Sequence, residues 1–272
     1  MITYNYLGDY MLKKGDLVTR NSYSNDIVFQ IIDIDEDNDI YYLKGINVRL
    51  YADSNKEDLK KYNEEIKKDD KKELLDRIKT NFKMERSDFF YLPGKILHID
   101  GDSDYLDDCL DYYKKVGVLA IGKVVKEEEI CNYIDDWLEE YMPSIVVITG
   151  HDAYYQKKGN KNDMNNYKNS MNFIKAVKKA RDFEKSHDKL IIIAGACQSN
   201  YEELIKAGAN FASSPKRINI HALDPAVIAS YMSLYDSSQD IDLIKVLENT
   251  KYGSKGMGGI KTKGTMYIGY PR

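Results

Sequence analysis

Two stretches decide the fold: Ser144-Ile145-Val146-Val147-Ile148-Thr149-Gly150-His151-Asp152, and Lys189-Leu190-Ile191-Ile192-Ile193-Ala194-Gly195-Ala196-Cys197-Gln198-Ser199. Each is an unbroken, β-branched apolar run of strand length that stops at a glycine. A strand with one solvated face alternates apolar and polar residues, so continuous runs signify strands covered on both faces, as in a parallel sheet. The pattern extends outward from them. Residues 95–100 and 116–125 read as further strands, and 104–115 and 127–141 as helices. Residues 167–183 read as a helix with Tyr167, Met171, Ile174 and Val177 on one face. Strands alternating with helices predict an α/β fold with a mostly parallel sheet flanked by helices.

The amino-terminal section reads differently. Short β-prone runs at 16–20, 27–35, 40–43 and 48–52 are separated by turn-rich pieces such as Asp35-Glu36-Asp37-Asn38-Asp39. They predict a small antiparallel, SH3-like β-barrel over residues 1–54. Residues 55–90 are dense in Lys, Glu and Asp with sparse apolar positions, and predict an exposed helical connector. The α/β domain then spans 91–272.

Composition narrows the function classes. The 272 residues are 43% hydrophobic and 31% charged, which fits a folded, soluble chain rather than a disordered one. A net charge of −4, with lysines scattered among acids, argues against a nucleic-acid partner and favours a protein one. No apolar run reaches membrane-spanning length and the start lacks the blocks of a signal peptide, so no membrane role and a cytoplasmic location are expected. The three cysteines, Cys109, Cys131 and Cys197, form neither a disulfide framework nor a metal knuckle.

In parallel sheets the working residues stand just past the carboxyl ends of the strands. His151 and Cys197 both occupy such positions, 46 residues apart, enough for one helical crossover between neighbouring strands. A thiol is mostly protonated near neutrality and needs a base or cation beside it, and histidine supplies both. Cys197 is therefore the expected nucleophile and His151 the expected general base. The backbone N–H of Cys197 is an expected oxyanion donor. No cofactor or metal is required by this chemistry.

The order His before Cys, each ending an apolar strand, with Ala196-Cys197-Gln198 at the nucleophile, is similar to the caspase-type peptidases. Longer matches are more specific. GDLVTRNSYSNDIVFQI (15–31), HIDGDSDYLDDC (98–109), TGHDAYY (149–155), AGACQSNYEELIKAGANFASSPKRINIHALDP (194–225) and GMGGIKTKG (256–264) resemble the YabG family of sporulation-specific peptidases of spore-forming Firmicutes, over almost the whole chain. The resemblance implies a caspase-like cysteine endopeptidase, made in the mother cell and associated with the spore coat. It implies that the enzyme processes spore coat and other spore proteins, with self-cleavage left open. His151 and Cys197 match the family's histidine and cysteine. Two departures stand out from the caspase pattern: Asp152, whose backbone N–H the resemblance implies as the second oxyanion donor, where a glycine usually follows the histidine, and Gly195 where relatives that cut after Arg carry an acid.

An acid for a basic specificity pocket must then come from elsewhere, and Asp102, Asp104, Asp152 and Asp224 are the candidates. The run Asp100-Gly101-Asp102-Ser103-Asp104 reads equally well as a solvated turn with a helix N-cap. His221 is the competing base or a substrate-binding residue. With Cys197 at a nucleophile elbow, His221 would give an amidotransferase- or amidohydrolase-like enzyme, although the run 195–199 lacks that turn's closing glycine. A non-catalytic coat-assembly scaffold is the remaining alternative. Cys109, Cys131, His98 and His187 read as structural. Gly256-Met257-Gly258-Gly259 reads as a flexible turn or lid, and Ser213-Ser214-Pro215-Lys216-Arg217 as a loop.

Overall fold

A computed structural model describes residues 11–64, 73, 75–77, 89–155 and 160–270. The chain divides into two compact units, one made of residues 1–46 and 51–67, the other of residues 47–50 and 68–272.

The first unit is an antiparallel five-stranded sheet. Its strands are β1 (Leu17–Arg20), β2 (Phe29–Asp35), β3 (Ile40–Gly45), β4 (Tyr51–Ser54) and β5 (Leu59–Lys61), paired in the order β4-β3-β2-β1-β5. Alternation along β2 and β3 buries Phe29, Ile31, Tyr41 and Leu43, joined by Val18 of β1. Two expectations are corrected here. Residues 59–61, assigned to a helical connector, pair with β1 instead, with Val18 opposite Lys61 and Arg20 opposite Leu59. Asp58 holds that strand's entry by accepting hydrogen bonds from Ser22 and Arg20. The strand expected at 48–52 begins only at Tyr51, because Asn47 takes a left-handed conformation (φ +62°) and residues 47–50 belong to the other unit. Glu73 and residues 75–77 are helical. The rest of that expected helix lies outside the described residues.

The second unit carries a six-stranded sheet in the order β12-β11-β10-β9-β7-β8. Here β7 is Ile96–Asp100, β8 Ala120–Val124, β9 Ile145–Thr149, β10 Ile191–Ala194, β11 Phe211–Ser213 and β12 Met257–Gly259. The first five of these run parallel and β12 closes the edge antiparallel. In a separate two-stranded antiparallel sheet β6 (Phe90–Leu92) pairs with β13 (Tyr267–Gly269). The strand at 257–259 corrects the expectation of a loose turn. Gly258 lies against the Tyr201 ring and Gly259 against Phe211, at approaches that a Cβ would block.

Helices cover both faces. On one side α2 (Ile130–Tyr141) and α3 (Ser170–Phe183) pack together and onto the strands. There Leu97, Ile99, Val146, Ile148, Ile192 and Ala194 meet Ile134, Leu138, Phe173 and Val177 in one buried cluster. On the other side lie α1 (Ser103–Val116) and α5 (Asp224–Leu234), the latter buried along its whole length. Short helices α4 (Tyr201–Lys206) and α6 (Leu243–Glu248) complete the layer order. The period-2 geometry of strands therefore sends His98, Asp100 and Thr149 to the face opposite the Leu97 and Ile99 cluster. Helix α1 begins on Asp102, whose side chain accepts the N–H groups of Asp104 and Tyr105, and ends at Gly117 in a left-handed conformation.

Phe173 sits at the centre of the apolar layer with no solvent exposure. Phe173→Ala is expected to lower unfolding free energy by roughly 3–5 kcal/mol, read from urea denaturation. An effect under about 1 kcal/mol would show that α3 does not anchor the sheet.

Candidate active site

Register fixes the geometry of the site. Strands β9 and β10 are adjacent, with Ala194 opposite Ile148. His151 and Cys197 each follow three residues later, so the two stand at equivalent places beyond neighbouring strand ends. On the other flank of β9, Asp100 pairs with Thr149 and closes β7. Three strand ends thus deliver Cys197, His151 and Asp100 in lateral order.

The loops that carry His151 and Cys197 are tied together by one carboxylate. Asp152 is fully buried, and its Oδ1 accepts the backbone N–H groups of Ala153 and Asn169, both at 2.8 Å. Its Oδ2 accepts the hydroxyls of Ser170 (2.5 Å) and Ser199 (2.7 Å). Ser199 Oγ in turn accepts the N–H of Ala196, and Ser213 Oγ donates to the Ala196 carbonyl. The Asn169 side-chain amide donates to the His151 carbonyl at 2.8 Å. Burial raises the Asp152 carboxyl above its ordinary range, opposed by these donors. With both oxygens so engaged, the Asp152 side chain holds the two loops and does not offer an acid to a substrate.

Gly195 supplies the backbone turn before Cys197, at φ +101°, where a side chain would also strike Ser213 and Leu204. Gln198, just after the cysteine, is left-handed at φ +59°, and its Oε1 accepts the Tyr154 N–H. Cys197 is thereby held on a tight, non-helical bend.

His151 is nearly fully buried, with Nε2 2.9 Å from Asp102 Oδ2 and its ring against Tyr105. Its backbone N–H donates to Glu127 Oε1 at 2.7 Å. Burial lowers the imidazole pKa, and the Asp102 carboxylate works against that shift. Asp102 therefore spends Oδ1 on the start of α1 and Oδ2 on His151, which orients the ring. It was expected among the substrate acids, and the structure gives it this other task. Asp104, two residues on, is exposed.

The Cys197 sulfur accepts the Ile220 N–H at 3.2 Å and donates toward the Ile220 carbonyl at 3.6 Å. Burial pushes the thiol up to about 12, opposed by hydrogen bonds from the backbone N–H groups of Ile220 and Arg49. His221 follows Ile220. Its Nδ1 accepts the Leu223 N–H at 3.1 Å and its own N–H donates to Asp224. Asp224 also accepts the Lys251 N–H and is fully buried, with its carboxyl raised by that burial. Asp224 fastens a turn, and His221 uses one ring nitrogen in the same turn.

Sequence reasoning missed two residues of this site. Asp100 was read only as the first member of an acidic run, and Arg49 as one residue of a strand. Both are completely buried, with Arg49 Nη1 2.5 Å from Asp100 Oδ2. The guanidinium also donates to the Ala222 carbonyl from Nε (3.1 Å) and Nη2 (3.0 Å), lies over the Tyr105 ring, and approaches Cys109 Sγ. Asp100 additionally accepts the Thr149 hydroxyl (2.7 Å) and the Asp102 N–H (2.9 Å). Burial alone would raise the Asp100 carboxyl, but the Arg49 charge overrides it and holds the group down at about 2. His98 bridges Thr149 and Tyr113, both at 2.9 Å, the structural role expected of it. The available signal was a carboxylate closing an otherwise apolar strand, Ile96-Leu97-His98-Ile99-Asp100. Among the described residues no group of three His, Cys, Asp or Glu side chains is arranged to hold a metal ion, and no helix is long and apolar enough to cross a membrane.

The chain matches the family described as YabG peptidase U57 over residues 13–271. It is 43% identical over 285 aligned positions to the sporulation-specific protease YabG of Bacillus subtilis (strain 168), covering 94% of this chain and 97% of that one. No solved structure matches it.

Two predictions follow from the buried carboxylates. Asp152→Ala removes the acceptor of four donors and is expected to cost roughly 3–5 kcal/mol, whereas Asp152→Asn, which keeps one acceptor oxygen, costs clearly less. Chemical denaturation measures both; equal losses would mean that the cavity rather than the hydrogen bonds matters. Asp100 has a folded pKa below its ordinary value, so its contribution is complete above about pH 4 and is lost as pH falls toward 2. Wild type should lose on the order of 2 kcal/mol through that window, an increment absent from Asp100→Asn.

Proposed function

The chain belongs to the YabG peptidase U57 family, and from that premise we propose a cysteine endopeptidase of sporulation that uses Cys197 as nucleophile and His151 as general base. Its substrates are spore coat and other spore proteins, cut on the carboxyl side of basic residues, in the mother cell and at the spore coat. The caspase-like arrangement of this domain is part of the same reading, as is the barrel character of the amino-terminal sheet. The observation that carries the proposal is the register of β9 with β10, which sets His151 and Cys197 at matching positions past adjacent parallel strands.

In the proposed reaction the Cys197 thiol gives its proton to His151, and the thiolate sulfur attacks the carbonyl carbon of the scissile peptide. Backbone N–H groups of Cys197 and Asp152 receive the developing oxyanion, an interaction worth about 10²–10³ in rate for each donor. The protonated imidazole then donates to the departing amine as the tetrahedral species collapses to a thioester. Water, deprotonated by His151, hydrolyses the thioester and restores the thiol. Asp102 positions the ring and favours the imidazolium that forms midway, the role a third carboxylate plays in catalytic triads.

Cys197→Ala is expected to abolish cleavage of a spore-coat substrate. His151→Ala should lower kcat/KM by at least about 10³-fold, while His221→Ala stays within about tenfold of wild type once folding of each variant is confirmed. The reverse ranking of the two histidines would replace this reading with the amidohydrolase-like one, and an active Cys197→Ala chain would remove Cys197 from the chemistry altogether. A chain that cuts nothing although every residue is in place would favour the scaffold.

A further inference from the structure

Residues 47–50 contribute no strand to the antiparallel sheet, although β3 and β4 flank them in sequence. Within the second unit they make the contacts of a bound peptide. Val48 forms an antiparallel bridge with His221, and its carbonyl accepts the Tyr105 hydroxyl at 3.2 Å. Leu50 forms a parallel bridge with Asp152. Between them Arg49, whose backbone N–H and charge favour the Cys197 thiolate, sends its side chain into a closed pocket. The pocket offers what a guanidinium needs: a carboxylate (Asp100), a carbonyl that accepts twice (Ala222) and an aromatic face (Tyr105).

The placement follows the chemistry proposed above. The residue whose side chain fills the pocket lies at the nucleophile, and the residue after it pairs beside His151, where a leaving amine would have to be protonated. We propose that residues 47–50 occupy the substrate channel of this chain as an internal ligand, that Arg49 fills the specificity pocket, and that Asp100 is the acid which selects a basic side chain there. This rests on the reading of Cys197 as nucleophile.

Two further observations mark the segment as an occupant that blocks the site. The Leu50 N–H turns back to the Val48 carbonyl at 2.9 Å, closing a three-residue turn centred on Arg49. A peptide in that turn does not present the extended backbone that strand-like pairing along a cleft calls for. With the segment in place, Cys197 has no exposed surface and His151 has 1%. An external substrate must displace residues 47–50 before it can reach either.

A labelling experiment on the full chain tests both parts. Cys197 alkylation, located by mass spectrometry, is timed with iodoacetamide, with a peptidyl-arginine chloromethyl ketone and with its norleucine counterpart. Arg49→Ala, or Arg49→Met if the smaller side chain fails to fold, should react with the arginyl reagent at least about tenfold faster than wild type, as expected when a closed majority state is removed. Adding Asp100→Asn should abolish the preference for the arginyl over the norleucyl reagent while leaving the iodoacetamide rate at its raised level. Asp100→Asn alone, which strips Arg49 of its counter-ion, should also raise the iodoacetamide rate. A folded Arg49 variant that reacts no faster than wild type overturns the internal ligand. Retained arginyl preference in the double variant overturns Asp100 as the selecting acid. Failure of the underlying reading looks different: cleavage persists in Cys197→Ala.

Discussion

A carboxylate taken out of water costs several kcal/mol unless donors replace its hydration, and the Asp152 side chain recovers that cost through four of them. The donors come from three places in the chain: the residue after Asp152, the start of α3 and the turn after β10. Because the penalty for losing any one is large, the loops bearing His151 and Cys197 cannot drift independently. The hydroxyls of Ser199 and Ser213 extend the constraint to both backbone groups of Ala196, directly before the cysteine. Asp152, directly after His151, thus serves as a brace, with its side chain turned into the protein.

The Arg49 and Asp100 pair obeys the same physics with a different outcome. Both groups are wholly desolvated, and each is satisfied beyond the other, Arg49 by the Ala222 carbonyl and Asp100 by Thr149 and the Asp102 N–H. Such pairs are poor sources of net stability but strong determinants of geometry, since breaking one strands a buried charge. A neutral side chain in place of Arg49 would leave Asp100 without its counter-ion, so Asp100 would have to recruit water or a proton.

Burial dominates the electrostatics of the Cys197 sulfur as well. Burial makes the thiolate unfavourable, and the Ile220 N–H on the sulfur only partly offsets it. Burial also lowers the His151 imidazole pKa, against the pull of the Asp102 carboxylate. Both shifts disfavour the charged form of a buried group.

Most of the parallel sheet was legible in the sequence, because strands buried on both faces must be continuously apolar: 95–100, 144–149 and 189–194 each contain the observed strand. His151 and Cys197 were legible as well, since a strand end is a local feature marked by glycine after an apolar run. Strand β5 was not, because Leu59-Lys60-Lys61 carries too little apolar signal to compete with the charged residues around it, and only pairing with β1 makes it a strand. The uses of Asp102, Asp152, Asp100 and Arg49 were equally invisible, because a carboxylate's role depends on which donors reach it from 17, 47 or 51 residues away. Sequence by itself determined most strands and helices of the α/β unit and placed His151 and Cys197 at strand ends, through periodicity and local termination. Tertiary structure alone decided which donors and cations each buried acid meets, since desolvation and hydrogen bonding act between residues that only the folded chain brings together.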